Sequence, residues 1–171
     1  MDKIKSGLKE FLPYIIVIVV VLIIKTYFFS TVIVSGDSMK NTLLNNDFMI
    51  LDKISYRTKD IERFDIVVIQ GNNTKLIKRI IGLPGEEIEY IDNQLYVNGK
   101  KIEDNYGKGT TYNFSLKDLG ISKVPDNQYF VLGDNREESL DSRLLGFIDR
   151  EDILGHATFI LFPFSRLGTV E

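Results

Sequence analysis

The chain has 171 residues, 44% of them hydrophobic and 26% charged, which fits a folded protein with one core and an appendage rather than two full domains. Its formal net charge of -3 argues against nucleic acid as a partner. It contains no cysteine and one histidine, His156, so disulfides, thiolate metal sites and multi-histidine metal sites are excluded, and neither a metal nor another cofactor is expected. Proton transfer near neutral pH must then use His156 or another side chain whose pKa is shifted.

The first predicted element is a long apolar helix over residues 11–29. Residues 11–24 carry no charge, and Lys25 interrupts the run near its end, where a long side chain can reach the membrane interface. As a helix this segment spans about 28 Å, close to the hydrocarbon thickness of a bilayer. A basic segment with Lys3, Lys5 and Lys9 precedes it.

Three interpretations of this helix compete. A buried core helix is disfavoured because the run is apolar on all sides and lies at a terminus. A cleaved secretory signal is disfavoured because bulky residues, 27–29, stand where a cleavage site needs small ones. We favour a retained single membrane span, with residues 1–10 cytoplasmic and residues 30–171 on the outer side of the cell membrane, because lysines precede the span.

The outer segment, residues 30–171, is acidic, and its residue pattern is typical of a β protein. It holds 17 basic and 22 acidic residues, a net charge of -5. Asp92-Asn93 and Asn98-Gly99 predict tight turns, and residues 99–123 predict an inserted flap with one helical turn at 116–119. Short runs rich in Ile, Val, Tyr and Phe predict strands at 48–53, 65–70, 75–81, 87–91, 94–97, 128–132 and 157–162. The expected fold is therefore mainly β, with several small antiparallel sheets.

Two clusters of polar residues precede and interrupt these strands. Ser38 lies in Gly36-Asp37-Ser38-Met39, directly after the predicted span, although Gly-Asp-Ser by itself is a common turn. Lys78 lies within the strand predicted over 75–81, where alternation places it on one face with Leu76 and Ile80. Such a lysine is either a guard against edge-to-edge strand pairing or a desolvated amine with a lowered pKa.

A third cluster follows the strand predicted over 128–132. The stretch Gly133-Asp134-Asn135-Arg136-Glu137-Glu138-Ser139-Leu140-Asp141-Ser142-Arg143 begins as an ordinary turn would. Its last eight residues, however, hold three acids, two arginines and two serines, which is too dense for a plain connector.

Taken in order, these three motifs resemble those of the bacterial type I signal peptidases, over nearly the whole chain from the apolar helix to about Pro163. The resemblance implies a membrane-bound serine endopeptidase that removes signal peptides from exported preproteins, so the expected partners are those signal peptides and the lipid bilayer. By similarity, Ser38 matches the nucleophile, Lys78 the general base, and Ser139 a hydroxyl that orients the lysine. Asp141, together with Arg143 and Arg79, matches a structural ion-pair group beside the site.

The chain departs from the family pattern at three places. Asn41 stands where proline is usual, and Glu86 stands where aspartate is usual. Gly36 takes the place of a serine that in some members donates to the oxyanion, so the backbone N–H of Ser38 would have to contribute more here.

Two further features have ordinary explanations. His156 is interpreted as structural or surface-exposed. The aromatic run 159–164 is either a core strand or part of an apolar surface that touches lipid.

Two other functions compete with this interpretation. A self-cleaving repressor with a serine-lysine dyad would need a DNA-binding domain instead of the apolar helix. A membrane-tethered β domain that binds wall or partner proteins would not need the set Ser38, Lys78 and Ser139.

Overall fold

The computed structural model describes residues 2–71 and 74–170, with side chains from residue 11 onward except at 57 and 58. Helix α1 (Asp2–Tyr27) opens the chain. It ends before the predicted limit of 29, because Phe29 pairs with Asp52 as the first residue of a strand. The lysines of the predicted cytoplasmic segment 1–10 lie outside the described side chains.

Every large hydrophobic side chain of α1 from Phe11 to Ile24 is at least 44% exposed. Within the described part of the chain, no helix combines enough length with enough apolar character to cross a membrane.

Twelve strands and two short helices follow α1 in the described residues. The short helices are α2 (Ser55–Thr58) and α3 (Ser142–Leu145). The strands are β1 (Phe29–Ile33), β2 (Phe48–Asp52), β3 (Ile66–Gln70), β4 (Lys75–Gly82), β5 (Ile88–Ile91), β6 (Gln94–Val97), β7 (Lys100–Ile102), β8 (Phe114–Ser115), β9 (Gln128–Leu132), β10 (Ile148–Asp149), β11 (Ile153–Phe162) and β12 (Gly168–Thr169).

These strands form two antiparallel sheets. The large sheet has the order β1-β2-β11-β3-β4-β9-β10, with β12 paired to β11, and the small sheet has the order β7-β6-β5-β8. Alternating apolar residues of the large sheet face two separate core clusters, and a third cluster lies between the small sheet and β9. The prediction of a mainly β fold with antiparallel sheets is confirmed.

The predicted turns and strands agree with the structure where the signals are local. Residues 94–97 and 128–132 are strands with the predicted bounds. Asp92, Asn93, Asn98 and Gly99 all have φ between 50° and 74°, as two-residue hairpin turns of type I′ require. The predicted flap 99–123 contributes β7 and β8 to the small sheet, and its helical turn is a 3₁₀ helix (Leu116–Leu119).

One strand extends well beyond its prediction. β11 begins at Ile153, not at residue 157, because Gly155 allows a close approach of two backbones. A Cβ at Gly155 would lie 2.3 Å from the carbonyl oxygen of Asp52. In the sequence, Gly155 suggests a strand boundary. In the structure it lies inside β11 and allows this strand to pair with both β2 and β3.

The open strand edges of the large sheet in the described residues include those of β1 and of the start of β4. β1 is the outermost strand. β4 pairs with β9 only from Arg79 onward, so its first residues, Lys75 to Lys78, hydrogen-bond to β3 on one side alone. Ser38 follows β1 in the chain, and Lys78 lies in β4.

Candidate active site

Ser38 lies in the turn between β1 and β2. The turn closes through a hydrogen bond from the Leu43 amide to the Met39 carbonyl at 2.8 Å, and both side chains are buried in the core. Asn135 holds the turn from outside: its amide donates to the carbonyl of Ser38 at 3.0 Å, and its Nδ2 donates to the carbonyl of Asp37 at 3.1 Å. The backbone on both sides of the hydroxyl is therefore fixed.

Lys78 reaches Ser38 from β4. Its Nζ lies 2.7 Å from Ser38 Oγ and donates to the carbonyl of Ile77 at 3.1 Å. The residue is only 3% exposed. The predicted alternation holds along β4, since Leu76 and Ile80 pack in one apolar cluster and Ile77 in the opposite one.

Burial lowers the pKa of Lys78 to about 8, because the apolar surroundings disfavour the ammonium. The carboxylates of Asp141 and Asp134 raise the pKa, but less than burial lowers it. With a pKa near 8, roughly a tenth of the lysines are neutral at pH 7, against fewer than about one in a thousand for an unperturbed lysine. The environment thus supplies a free amine next to a hydroxyl.

Arg79 forms a buried ion pair with Asp134. Its Nε and Nη2 donate to the two oxygens of Asp134 at 2.8 and 2.7 Å, and neither side chain is more than 1% exposed. Thr42, in the turn after Ser38, donates to Asp134 at 2.5 Å. The guanidinium of Arg79 lies 3.7 Å from the ring centroid of Tyr106. The pair therefore ties β4, the Ser38 turn and the third motif together.

Asp141 forms a separate pair with Arg143. Arg143 Nε and Nη2 donate to the two oxygens of Asp141, each at 2.9 Å, and Asp141 also accepts from the amide of Gly133 at 3.1 Å. The sequence-based grouping of Asp141 with both Arg143 and Arg79 is thus corrected: the carboxylate that Arg79 contacts belongs to Asp134. The reason is geometric, since Asp134 lies two residues after Leu132, the last residue of β9 and the partner of Arg79 in the sheet.

Ser139 lies close to the Ser38 turn. A Cβ built on Gly133 would lie 2.2 Å from Ser139 Oγ and 2.4 Å from the carbonyl oxygen of Ser38, so only glycine fits between them. Ser139 Oγ is buried and has no hydrogen-bond partner among the described residues. The predicted contact that orients Lys78 is therefore not formed here, and that role remains a prediction.

The three departures from the family pattern have clear local structures. Asn41 has a φ of 86°, which asparagine tolerates and which the ring of proline forbids. The amide of Gly36 donates to Asn45 Oδ1 at 3.0 Å. Glu86 accepts from the amide of Leu83 at 2.7 Å and pairs with Arg63.

A buried arginine joins the third motif to the small sheet. Arg136 donates to the carbonyl of Gly133 at 3.0 Å, to Tyr90 Oη at 3.1 Å and to Asp104 at 2.6 Å. Asp104 and its neighbour Arg136 are both almost fully buried. The sequence gives no signal for Asp104, because its partner lies far away in the chain and no local pattern surrounds it.

His156 lies away from this network. It stacks on Tyr56 with ring centroids 5.6 Å apart, and its Nε2 is 3.8 Å from Asp65. Two strand spacings separate its backbone from that of Lys78, since Val67 pairs with both residues. This agrees with the structural role expected from the sequence.

A groove of about 610 Å³ leads along the two open strand edges. Residues from β1 and its continuation line one side, and the start of β4 lines the other, including Val32, Ile33, Ser35, Lys75 and Leu76. Unpaired backbone on both sides suits an extended peptide that adds as a strand.

Comparison with known proteins identifies relatives over most of the chain. The profile of the family described as "Signal peptidase, peptidase S26" matches residues 8–162. Signal peptidase I V of Bacillus subtilis is 48% identical over 133 residues, covering 71% of this chain and 79% of that protein. Signal peptidase I of Bacillus caldolyticus is 38% identical over 179 aligned positions, covering 98% of both chains.

A solved structure shows the same fold. The crystal structure of a signal peptidase I from Enterococcus faecalis is 37% identical and has a TM-score of 0.55. It aligns over 58% of this chain and 98% of its own length.

Proposed function

This chain belongs to the signal peptidase family, peptidase S26, and we propose that Ser38 and Lys78 form the catalytic dyad with which it acts. It is a serine peptidase, and the signal peptides of preproteins are its substrates. The observation that carries the proposal is the distance of 2.7 Å between Lys78 Nζ and Ser38 Oγ, within hydrogen-bond reach for proton transfer.

The reaction needs a base for the serine hydroxyl. Neutral Lys78 takes the proton of Ser38 as Oγ attacks the carbonyl carbon of the scissile bond. The resulting ammonium gives that proton to the leaving amine, so the mature protein departs and an ester to Ser38 remains. Lys78, neutral again, then deprotonates a water molecule that attacks the ester, and it returns this proton to Ser38 Oγ as the signal peptide leaves with a free carboxyl group.

Two hydrogen-bonding groups support these reaction steps in our proposal. The backbone N–H of Ser38 donates to the oxyanion, since the amide of Gly36 is already bonded to Asn45. Ser139, whose buried hydroxyl has no partner among the described residues, binds the lysine when substrate expels water from the site. The ion pairs of Arg79 and Arg143 keep the carboxylates of Asp134 and Asp141 from holding Lys78 in its charged form.

We also propose that α1 anchors the enzyme in the cell membrane, with residues 1–10 cytoplasmic and the β domain outside. The support is the exposed apolar surface of α1 and the lysines that precede it. The turn that carries Ser38 starts directly after β1, so the site stays close to the end of α1.

Cleavage of a preprotein in detergent micelles tests the dyad. Ser38→Ala and Lys78→Ala should each lower kcat by at least about a thousand-fold, because each removes a member of a unit that acts together. Lys78→Arg should be as inactive, since arginine does not lose its proton. Lys101→Ala, an exposed lysine of β7, serves as the matched control and should keep full activity.

A Lys78→Ala enzyme with normal turnover would contradict the proposed dyad. Circular dichroism of each variant separates loss of chemistry from loss of fold.

A further inference from the structure

Three basic side chains line a cavity beside the C-terminal end of α1. The cavity measures about 520 Å³ and opens at the end of the large sheet that faces this helix. Its lining includes Lys53, Lys75 and Arg150, with Thr26 from the last turn of α1 and the side chains of Tyr56 and Gln70. Among the described residues no carboxylate lines the cavity, so its wall carries a net positive charge.

The three cations are not neutralised by neighbouring acids. None of the ion pairs between described residues involves Lys53, Lys75 or Arg150. Lys53 Nζ lies 3.4 Å from the carbonyl oxygen of Thr26, and Arg150 donates to the carbonyl of Tyr56. Both contacts fix the positions of the charges and leave them uncompensated.

Two acids next to these cations in the chain, Asp52 and Asp149, have other hydrogen-bond partners and form no ion pair with them. Asp52 accepts from the Ser55 hydroxyl at 2.5 Å and from the Ile54 amide at 2.8 Å. Asp149, beside Arg150 in the chain, accepts from Gln128 at 2.7 Å. The cavity is thus a basic site in a segment, residues 30–171, whose net charge is -5.

We propose that this basic cavity binds the phosphate group of an anionic phospholipid. The inference goes beyond the proposed function and rests on it only in that α1 holds Thr26 at the membrane surface. There each lysine or arginine contributes about 1 kcal/mol of attraction to an anionic lipid, over a range of roughly a Debye length. An acidic domain would otherwise be repelled by such a surface.

Lys75 connects the basic cavity to catalysis. It lines both this cavity and the substrate groove, and it lies three residues before Lys78 on β4. A headgroup held by Lys75 would fix the open edge of β4 along which the substrate adds.

Binding of fluorescent phosphatidylglycerol to the full chain in neutral detergent micelles tests the proposal. The chain carries Ser38→Ala, so no turnover is involved. The combined substitutions Lys53→Gln, Lys75→Gln and Arg150→Gln should weaken binding by roughly 100-fold, about five-fold for each charge removed. The matched control, Lys100→Gln, Lys101→Gln and Lys123→Gln, changes the net charge equally at exposed positions and should weaken it by less than about two-fold.

Binding of a second lipid and competition by phosphate identify the ligand. Fluorescent phosphatidylcholine should bind the test and control variants alike. Equal binding of phosphatidylglycerol by the two triple variants would overturn the proposal. Displacement of the probe by millimolar inorganic phosphate would assign the cavity to a soluble anion and also overturn it.

Two measurements keep the result interpretable. Should the triple variant fail to fold, Lys75→Gln alone, at an exposed position, should still weaken binding about five-fold. Flotation with neutral phosphatidylcholine vesicles reports on the α1 anchor separately. A chain that does not float refutes the anchor, while binding in detergent still decides the lipid site.

Discussion

At the scale of single residues, the chemistry depends on where one lysine is buried. Lys78 would be useless as a base in water, where a lysine pKa is about 10.4. Here burial outweighs the attraction of two carboxylates, and the pKa falls to about 8. Both of these carboxylates are themselves paired with arginines, Asp134 with Arg79 and Asp141 with Arg143.

The pH dependence of activity follows from this balance. Because only the neutral amine can accept the proton of Ser38, kcat/KM should rise with pH, with a midpoint near the pKa of about 8. Below the midpoint it should fall about ten-fold per pH unit, as the loss of a single proton requires. Initial rates of peptide cleavage at low substrate concentration measure this curve.

His156→Gln provides the control, because histidine is the other side chain that commonly titrates in this range. Its imidazole stacks on Tyr56 outside the dyad network, so the rising limb should stay in place. A limb that moves or disappears in this variant would show that the histidine, and not Lys78, is the base.

At the scale of secondary-structure elements, the sequence predicts those strands and turns whose formation depends on residues adjacent in the chain. Alternation along Gln94–Val97 and the Asn98-Gly99 turn are local patterns, and both are observed. β1 was not predicted, because Phe29 continues the apolar run of α1 and only pairing with β2 makes it a strand. The ends of β11 depend on the close contact of Gly155 with another strand, which no local pattern encodes.

The active site shows the same difference between features set by local motifs and features set by long-range contacts. Ser38 and Lys78 were predicted from motifs, and the structure brings them together. The resemblance grouped Arg79 with Asp141 and Arg143, whereas the strand register places Asp134 at the guanidinium of Arg79. Asp104, which holds Arg136, has no signal in the sequence at all.

Removing one member of the Arg79–Asp134 pair should destabilise the fold strongly. Asp134→Ala leaves a fully buried guanidinium without its carboxylate, which costs about 3–5 kcal/mol of unfolding free energy. Arg79→Lys should also be destabilising, since lysine cannot donate two parallel hydrogen bonds. Urea unfolding in detergent, followed by tyrosine circular dichroism, measures both variants.

An exposed ion pair gives the comparison. Lys40 and Asp37 lie 3.9 Å apart with about half of each side chain exposed, so Lys40→Ala should change the unfolding free energy by less than about 1 kcal/mol. If Asp134→Ala lowered the free energy of unfolding as little as Lys40→Ala does, the buried pair would not be holding β4 to the third motif.

At the scale of the whole molecule, separate parts of the chain converge on one small site. The Ser38 turn, β4 and the third motif are joined by Asn135, Asp134 and Arg79, and Arg136 adds the small sheet. α1 leads directly into β1 and from there into the Ser38 turn. The position of the helix in a membrane would thus determine where the site can act.

The proposed orientation is testable because the chain has no cysteine. Lys101→Cys places a single thiol on an exposed residue of β7, and Lys5→Cys places one in the basic segment before the apolar run. If lysines keep the N-terminus inside, a membrane-impermeant maleimide should label Lys101→Cys in intact spheroplasts and Lys5→Cys only after detergent is added. The cysteine-free chain sets the background, and both variants labelled in detergent give the maximum. Labelling of Lys5→Cys in intact spheroplasts, with Lys101→Cys protected, would reverse the orientation and place the β domain on the cytoplasmic side, away from exported signal peptides.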